Sequence, residues 1–265
     1  MLDRSRDGAQ GGTMKYALIS DIHANLPALE AVLEDIERRG DVEAIYHLGD
    51  LVGYAPWPNE VVGLLEEWRI PGIAGNYDST VATDYKHCGC KADTPHQEEL
   101  SHLSYEWTLA HVSPETKHVL GELPFRMDLK PMGGHRSRPQ LILVHGTPTL
   151  NTLYWTEDRP DSFCLKMAEA AGARQGDLIA FGHTHKAWHC RCVEDVYFLN
   201  TGSVGMPKDG DWRAGYALVE AEEEIRGIEF VRVEYDLERA VEGILRSELP
   251  DEFADQLRAG KPSSR

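Results

Sequence analysis

KYALISDIHA, residues 15–24, is the stretch on which the fold of this chain turns. Its first six residues make a short apolar run, as in a strand buried on both faces. The run breaks at once into Asp21 and His23, a carboxylate and an imidazole two positions apart. Behind it, Leu26, Leu29, Val32, Leu33 and Ile36 recur at spacings of three and four, Pro27 suits a first helical turn and Gly40 a stop, so a helix follows. The unit then repeats. Residues 43–48 read as a second strand ending at Gly49-Asp50, 61–68 as a second helix, and 68–74 as a third strand leading into Gly75-Asn76-Tyr77-Asp78. Strand, helix, strand, helix, strand is the pattern of parallel pairs joined by right-handed crossovers, an α/β class of fold.

Downstream, residues 81–138 become helical and loop-like, with Leu100, Leu103, Trp107 and Ala110 as an apolar stripe on a segment placed to cap a site. Strand signals return at 140–144, 178–181 and 196–199, then at 216–219 and 228–233 as a late antiparallel pair, and 237–245 is amphipathic. The division predicted is a disordered leader at 1–13, one domain over 14–247 with the helical insert at about 81–138, and a C-terminal helix and polar tail at 248–265.

Composition narrows the classes. A chain of 265 residues with 42% hydrophobic and 27% charged side chains has the make-up of a globular enzyme. No apolar run approaches the ~18 residues of a membrane span. The first thirteen residues lack the apolar core of a secretory signal, and five cysteines are an odd number, so a cytoplasmic protein with reduced thiols is expected. Cys88/Cys90 and Cys190/Cys192 are spaced by one residue, unlike the Cys-x-x-Cys of zinc knuckles, and read as free thiols. A formal charge of −17 disfavours nucleic acid as a partner, while leaving room for a small phosphate ester at a site whose positive charge comes from bound cations. The number of chains in the assembly is left open.

The chemistry lies in where the His, Asp and Asn residues fall. Asp21/His23, Asp50, Asn76, His145 and His183/His185 each sit at or just beyond the carboxyl end of a predicted strand, the edge where open α/β sheets bind ligands. Singly, each has an ordinary reading: Asp21 as a helix cap, Gly49-Asp50 and Gly75-Asn76 as turns, His145 as a structural histidine. Independent caps and turns give no reason for all these ends to carry metal-competent groups. Carboxylates, an amide oxygen and imidazoles suit Mn, Fe or Zn, and seven ligands would crowd one ion but serve two that share a carboxylate.

In this order, Asp21-x-His23, Gly49-Asp50, Gly75-Asn76, His145-Gly146 and Gly182-His183-Thr184-His185 resemble the calcineurin-like metallophosphoesterase family over roughly residues 15–205. Asn200-Thr201-Gly202-Ser203-Val204-Gly205 resembles a further segment common in its bacterial members. The resemblance implies a four-layer α/β/β/α sandwich of two mixed sheets flanked by helices. It implies that Asp21, His23 and His185 hold one divalent ion, Asn76, His145 and His183 a second, and that Asp50 bridges them. The activity implied is hydrolysis of phosphodiester or phosphomonoester bonds of small molecules or nucleotides by a metal-bound hydroxide. Two departures qualify this. Tyr77 stands where the family often has a histidine thought to protonate the leaving group, which leaves Tyr77 to position the phosphate. The segment after Asp50, Leu51-Val52-Gly53-Tyr54, lacks the Asp-Arg of protein serine/threonine phosphatases, which favours the small bacterial phosphodiesterase-like branch. Asn25 reads either as a donor to a phosphate oxygen or as a helix N-cap, and Asp78 either as a support for His23 or as a turn aspartate. A metal-bound scaffold, like the retromer subunit of this fold, and a nuclease are the competing readings.

Overall fold

The computed structural model describes residues 13–262 apart from 91, 93, 131–138 and 193. All but Thr13 of the expected leader, the end of the insert and the last three residues of the tail lie outside the described residues. In chain order the elements are β1 (Met14–Ile19), α1 (Leu26–Arg39), β2 (Ala44–His47), α2 (Pro58–Glu67), α3 (Asn76–Ala82), α4 (Pro95–His111), α5 (Pro114–Glu122), β3 (Arg126–Leu129), β4 (Leu141–Val144), α6 (Asp161–Ala171), β5 (Leu178–Phe181), β6 (Ala187–Arg191), β7 (Tyr197–Thr201), β8 (Ala214–Ala221), β9 (Ile225–Val233), α7 (Leu237–Arg246) and α8 (Glu252–Ala259). Among the described residues no helix is long and apolar enough to cross a membrane.

The strands form two mixed sheets, ordered β2-β1-β8-β9 and β3-β4-β5-β7-β6. Period-two alternation explains how they stack, because a strand apolar at every position presents one apolar face to each side. In β4, Leu141 and Leu143 point inward between the sheets, where they join Leu18, Ala180, Leu199 and Val219. Ile142 and Val144 point outward and pack with Trp155, Phe181 and the α6 residues Cys164 and Ala168. On the far side, Ala17 and Ile19 of β1 pack under α1, α2, α7 and α8. Helices, sheet, sheet and helix are thus the four layers expected. Each fully buried Leu or Ile contributes roughly 1.5–3 kcal/mol, so the three apolar seams carry the fold.

α1 begins and ends as its sequence directs: Asn25 Oδ1 accepts from Ala28 N–H at the N-terminus, and Gly40 closes the helix in the left-handed conformation, φ 68°. The third strand expected over 68–74 does not form. The chain leaves α2 through Arg69 at φ 53°, Pro71 has no N–H to give, and only an isolated parallel bridge joins His47 to Gly72. β3, β6 and α6 are additions to the sequence reading; β3 and β6 are short edge strands of half-exposed, mixed composition.

The apolar stripe predicted on the insert is also corrected. α4 buries Leu100, Ser104, Tyr105 and Thr108, while Leu103 is 43% exposed. The buried polar groups are satisfied: Ser104 Oγ accepts from Tyr54 N–H and from the Tyr77 hydroxyl, and Thr108 Oγ1 donates to Ser104 O. Nor are all the cysteines free. Cys88 and Cys90 form a disulfide around Gly89, whose φ of 74° turns the chain between them, whereas Cys164, Cys190 and Cys192 are free thiols.

Candidate metal centre

The carboxyl ends of β1 and β2 from one sheet and of β4 and β5 from the other meet at one edge of the sandwich, and α3 adds its first residue there. All seven residues picked out by their spacing come together at that edge and are buried. Four strand ends and a bridged segment feed it, rather than five strand ends. Asp21 N–H donates to Gly49 O and His23 N–H to Asp50 O in one sheet, Gly182 N–H donates to His145 O in the other, and His183 N–H to Asp21 Oδ2 ties the two sheets' loops together.

Five of the seven, Asp21, His23, Asp50, His183 and His185, have positive φ, between 49° and 66°. Glycine would adopt this conformation without strain but would supply no ligand atom, so strained side-chain-bearing residues here mark a working site. Glycine is reserved for close approaches. A Cβ on Gly49 would run into the backbone of Gly75, and one on Gly182 into Ser20 and Asp21.

Three imidazoles have their tautomer fixed by main-chain carbonyls. Nδ1 of His23 lies 3.1 Å from Val52 O, Nδ1 of His185 2.6 Å from Met206 O, and Nδ1 of His145 2.8 Å from Leu48 O. A carbonyl only accepts, so each Nδ1 carries a hydrogen, and the neutral rings of His23 and His185 turn a bare Nε2 lone pair inward. Nε2 of His23 and Nε2 of His185 then face each other at 3.1 Å, with Asp21 Oδ1 at 3.8 and 3.4 Å from them. Asp21 Oδ1 has no hydrogen-bond partner, whereas Oδ2 accepts from Ser20 Oγ and from His183 N–H. The second group is similar. Nε2 of His145 lies 3.1 Å from Asn76 Oδ1, 3.2 Å from His183 Nδ1 and 3.3 Å from Asp50 Oδ2. The Asn76 amide is oriented by donating Nδ2–H to Cys88 O, which leaves its oxygen inward. Asp50 has Oδ1 tied by Tyr77 N–H, while Oδ2 reaches both His145 and, at 3.8 Å, His23.

Asp21, His23 and His185 form one group whose candidate ligand atoms lie within 4.8 Å of one another, and Asp50, His145 and His183 form another. Burial pushes His23 down to about 4, His183 to about 3 and His185 well below its ordinary value, so these rings are neutral at pH 7, the form that binds metal. Burial also acts to lower His145, but the Asp50 carboxylate outweighs it and raises the ring to about 9. Asp21 is raised to about 6, chiefly by burial, and Asp50 is held below the usual carboxylate range because His145 outweighs burial. In the first group the Nε2 atoms of His23 and His185 and Asp21 Oδ1 face one another with no hydrogen between them, an arrangement that calls for a cation. The mixed oxygen and nitrogen donor set fits divalent transition metals.

The other three sequence candidates resolve differently. Asn25 caps α1 and donates Nδ2–H to Gly205 O, so both ends of its amide are engaged in structure rather than aimed at a phosphate. Asp78 supports Asp50 and not His23: its oxygens accept from the N–H groups of Asp50, Leu51 and Gly75. Tyr77 is fully buried between Tyr54 and Tyr105 with its hydroxyl on Ser104, and burial raises its pKa well above the ordinary value. It packs edge-on against His23 at 5.6 Å between ring centroids, a support for the imidazole. The sequence reading missed Ser20, Ser203 and Asn200. Ser203 Oγ donates to Asp21 O, and Asn200 Nδ2–H groups donate to Gly182 O and Thr184 Oγ1. The signal was there for the last two, in the segment beginning at Asn200.

A two-sheet α/β sandwich with paired clusters of candidate metal ligands at its strand ends is the architecture of a metallophosphoesterase. The chain belongs to the calcineurin-like phosphoesterase superfamily, whose domain model matches residues 14–224. An uncharacterised protein of Methanocaldococcus jannaschii is 32% identical over 259 residues, 92% of this chain and 98% of that protein. Phosphodiesterase YfcE of Escherichia coli is 25% identical over 217 residues, 78% of this chain and 88% of its own. Among solved structures, a metallophosphoesterase from Sphaerobacter thermophilus superposes with a TM-score of 0.72 at 30% identity, covering 94% of this chain and all (100%) of the other.

Proposed function

We propose that this chain is a hydrolase of small phosphate esters that works with two divalent cations, of Mn, Fe or Zn type, with phosphodiesters the first class to test. Asp21, His23 and His185 would hold one cation, Asn76, His145 and His183 the other, and Asp50 Oδ2, which reaches toward both groups, would be shared. The single observation that carries this is the buried convergence of the unprotonated Nε2 atoms of His23 and His185 on a partnerless Asp21 Oδ1, beside a second buried cluster of Asp50, His145 and His183. When bound, such ions neutralise phosphoryl charge and lower the pKa of water.

The chain's own part is to hold that cradle rigid. Carbonyls of Leu48, Val52 and Met206 fix the imidazole tautomers, and Asp78 fixes the backbone from which Asp50 projects. Tyr77 keeps its proton at neutral pH and spends its hydroxyl on Ser104, so it donates no proton to a leaving group. Esters whose leaving groups depart without a proton are therefore the favoured substrates. The net charge of −17 supports a small substrate over a nucleic-acid duplex. The test is turnover of bis-p-nitrophenyl phosphate by the purified protein loaded with Mn. Hydrolysis that disappears on chelation and returns on reloading is the result expected. A folded protein inactive with every divalent metal would overturn the reading and leave a scaffold.

A further inference from the structure

A cavity of about 300 Å³ lies beside the centre, and its charge runs against the rest of the chain. The sequence carries 44 acidic against 27 basic side chains, yet among the described residues the cavity wall contains Lys186 and Lys208 and no carboxylate. Both lysines are anchored to the same candidate ligand: Lys186 follows His185 in the chain, and Lys208 N–H donates to His185 O at 3.2 Å. Three rings complete the wall. Tyr54 stands edge-on to His23 at 4.7 Å between centroids, Tyr154 lies 4.1 Å from His183, and Phe253 meets Tyr54 at 5.2 Å. The rings of two candidate ligands, one from each group, therefore adjoin the aromatic part of the cavity, and the two lysines mark its cationic part.

A wall of this kind selects. Two lysines in the wall of one partly enclosed cavity of an otherwise acidic protein attract an anion, and aromatic faces and edges take up flat rings. The volume suits a small molecule, and two lysines are far too few to track a polymer backbone. We propose that the cavity is a specificity subsite for a phosphate ester that carries a second anionic group, bound by Lys186 and Lys208, and a planar ring, bound among Tyr54, Tyr154 and Phe253. That is the chemistry of a nucleoside bisphosphate. The inference rests on the phosphoesterase reading of the adjoining centre, and its test is separable from that reading because it measures binding.

The experiment is calorimetric titration of the metal-loaded protein with thymidine 3′,5′-bisphosphate and with thymidine 5′-phosphate. The bisphosphate should bind at least tenfold more tightly. In Lys186→Gln and in Lys208→Gln that preference should fall at least fivefold, and Tyr154→Ala should weaken both ligands alike. Lys186 is exposed, so its substitution keeps the test alive should the half-buried Lys208 prove necessary for folding. Equal affinity for the two ligands in the wild type, or a preference that survives both lysine substitutions, would overturn the subsite. Where bis-p-nitrophenyl phosphate is hydrolysed, the ratio of kcat/KM for thymidine 3′-phosphate 5′-(p-nitrophenyl phosphate) over thymidine 5′-(p-nitrophenyl phosphate) reads the same preference. The leaving group is shared, so a ratio unchanged in the lysine variants sinks the subsite while leaving the hydrolase intact.

Discussion

The Asp21–His23–His185 cluster hangs from the main chain of the sandwich, through Val52 O and Met206 O, and from Ser20, just past the end of β1, whose hydroxyl donates to Asp21. The Asp50–Asn76–His145–His183 cluster is anchored to the main chain too, through Leu48 O and Tyr77 N–H, but its Asn76 is oriented from outside the sheets, by Cys88 O in the disulfide-bonded turn ahead of α4. One half of the cradle is thus as rigid as the core beneath it, and the other depends in part on the helical insert. The comparison teaches that two halves of similar chemistry can differ in how independently of the fold they are perturbed.

Five measurements sharpen this contrast. Asp50 reaches both clusters, so Asp50→Asn should abolish the distinction between them: kcat/KM on bis-p-nitrophenyl phosphate falls by about a thousandfold or more and both cations bind weakly by elemental analysis. Asp78→Ala removes the acceptor for three buried N–H groups and should lower stability by about 3 kcal/mol in urea unfolding, with Asp78→Asn intermediate.

Acid should attack the sheet beneath the first cluster. Burial holds His47 at about 4, below the ordinary value near 6.5, and its Nδ1 has no partner. The unfolded chain takes up that proton before the folded one does, so the stabilisation present above pH ~6.5 is lost as pH falls toward 4, on the order of 3 kcal/mol. Unfolding of chelated protein across that window should show the slope, and a flat profile would contradict it. His185→Gln and His183→Gln should each lose one cation and leave the other bound, read by elemental analysis of the two variants. Smallest of all, reducing the Cys88–Cys90 disulfide should weaken only the cation beside Asn76, by no more than about tenfold. An equal effect on both would show that the insert supports the whole cradle.

Much of this was readable in advance, for a physical reason. Strands such as 141–144 and 178–181 are apolar at every position because both faces are covered, so their ends are sharp and the residues beyond them, His145 and His183, stand out. What escaped were properties of direction. Tyr77 follows Asn76 in the chain, yet the first turn of α3 points its ring into the insert. Asn25 and Asp78 have oxygens that serve the backbone as readily as a ligand, and only coordinates show which. α4 buries Ser104 and Thr108 in place of Leu103 and Ala110, because hydrogen bonds to Tyr54, Tyr77 and its own backbone offset the loss of water. The segment at 68–74 had strand composition but is interrupted by Pro71 and the turn at Arg69.

The left-handed backbone at Asp21, His23, Asp50, His183 and His185 has a practical corollary for anyone engineering this molecule. Glycine at those positions would relax the main chain and, at Asp21, His23 and His185, remove mutually repelling lone pairs from the interior. A selection for heat resistance alone, run without divalent ions, would therefore drift toward replacing side chains proposed to hold the cations. Durability and usefulness pull in opposite directions at this edge, and any screen has to reward both.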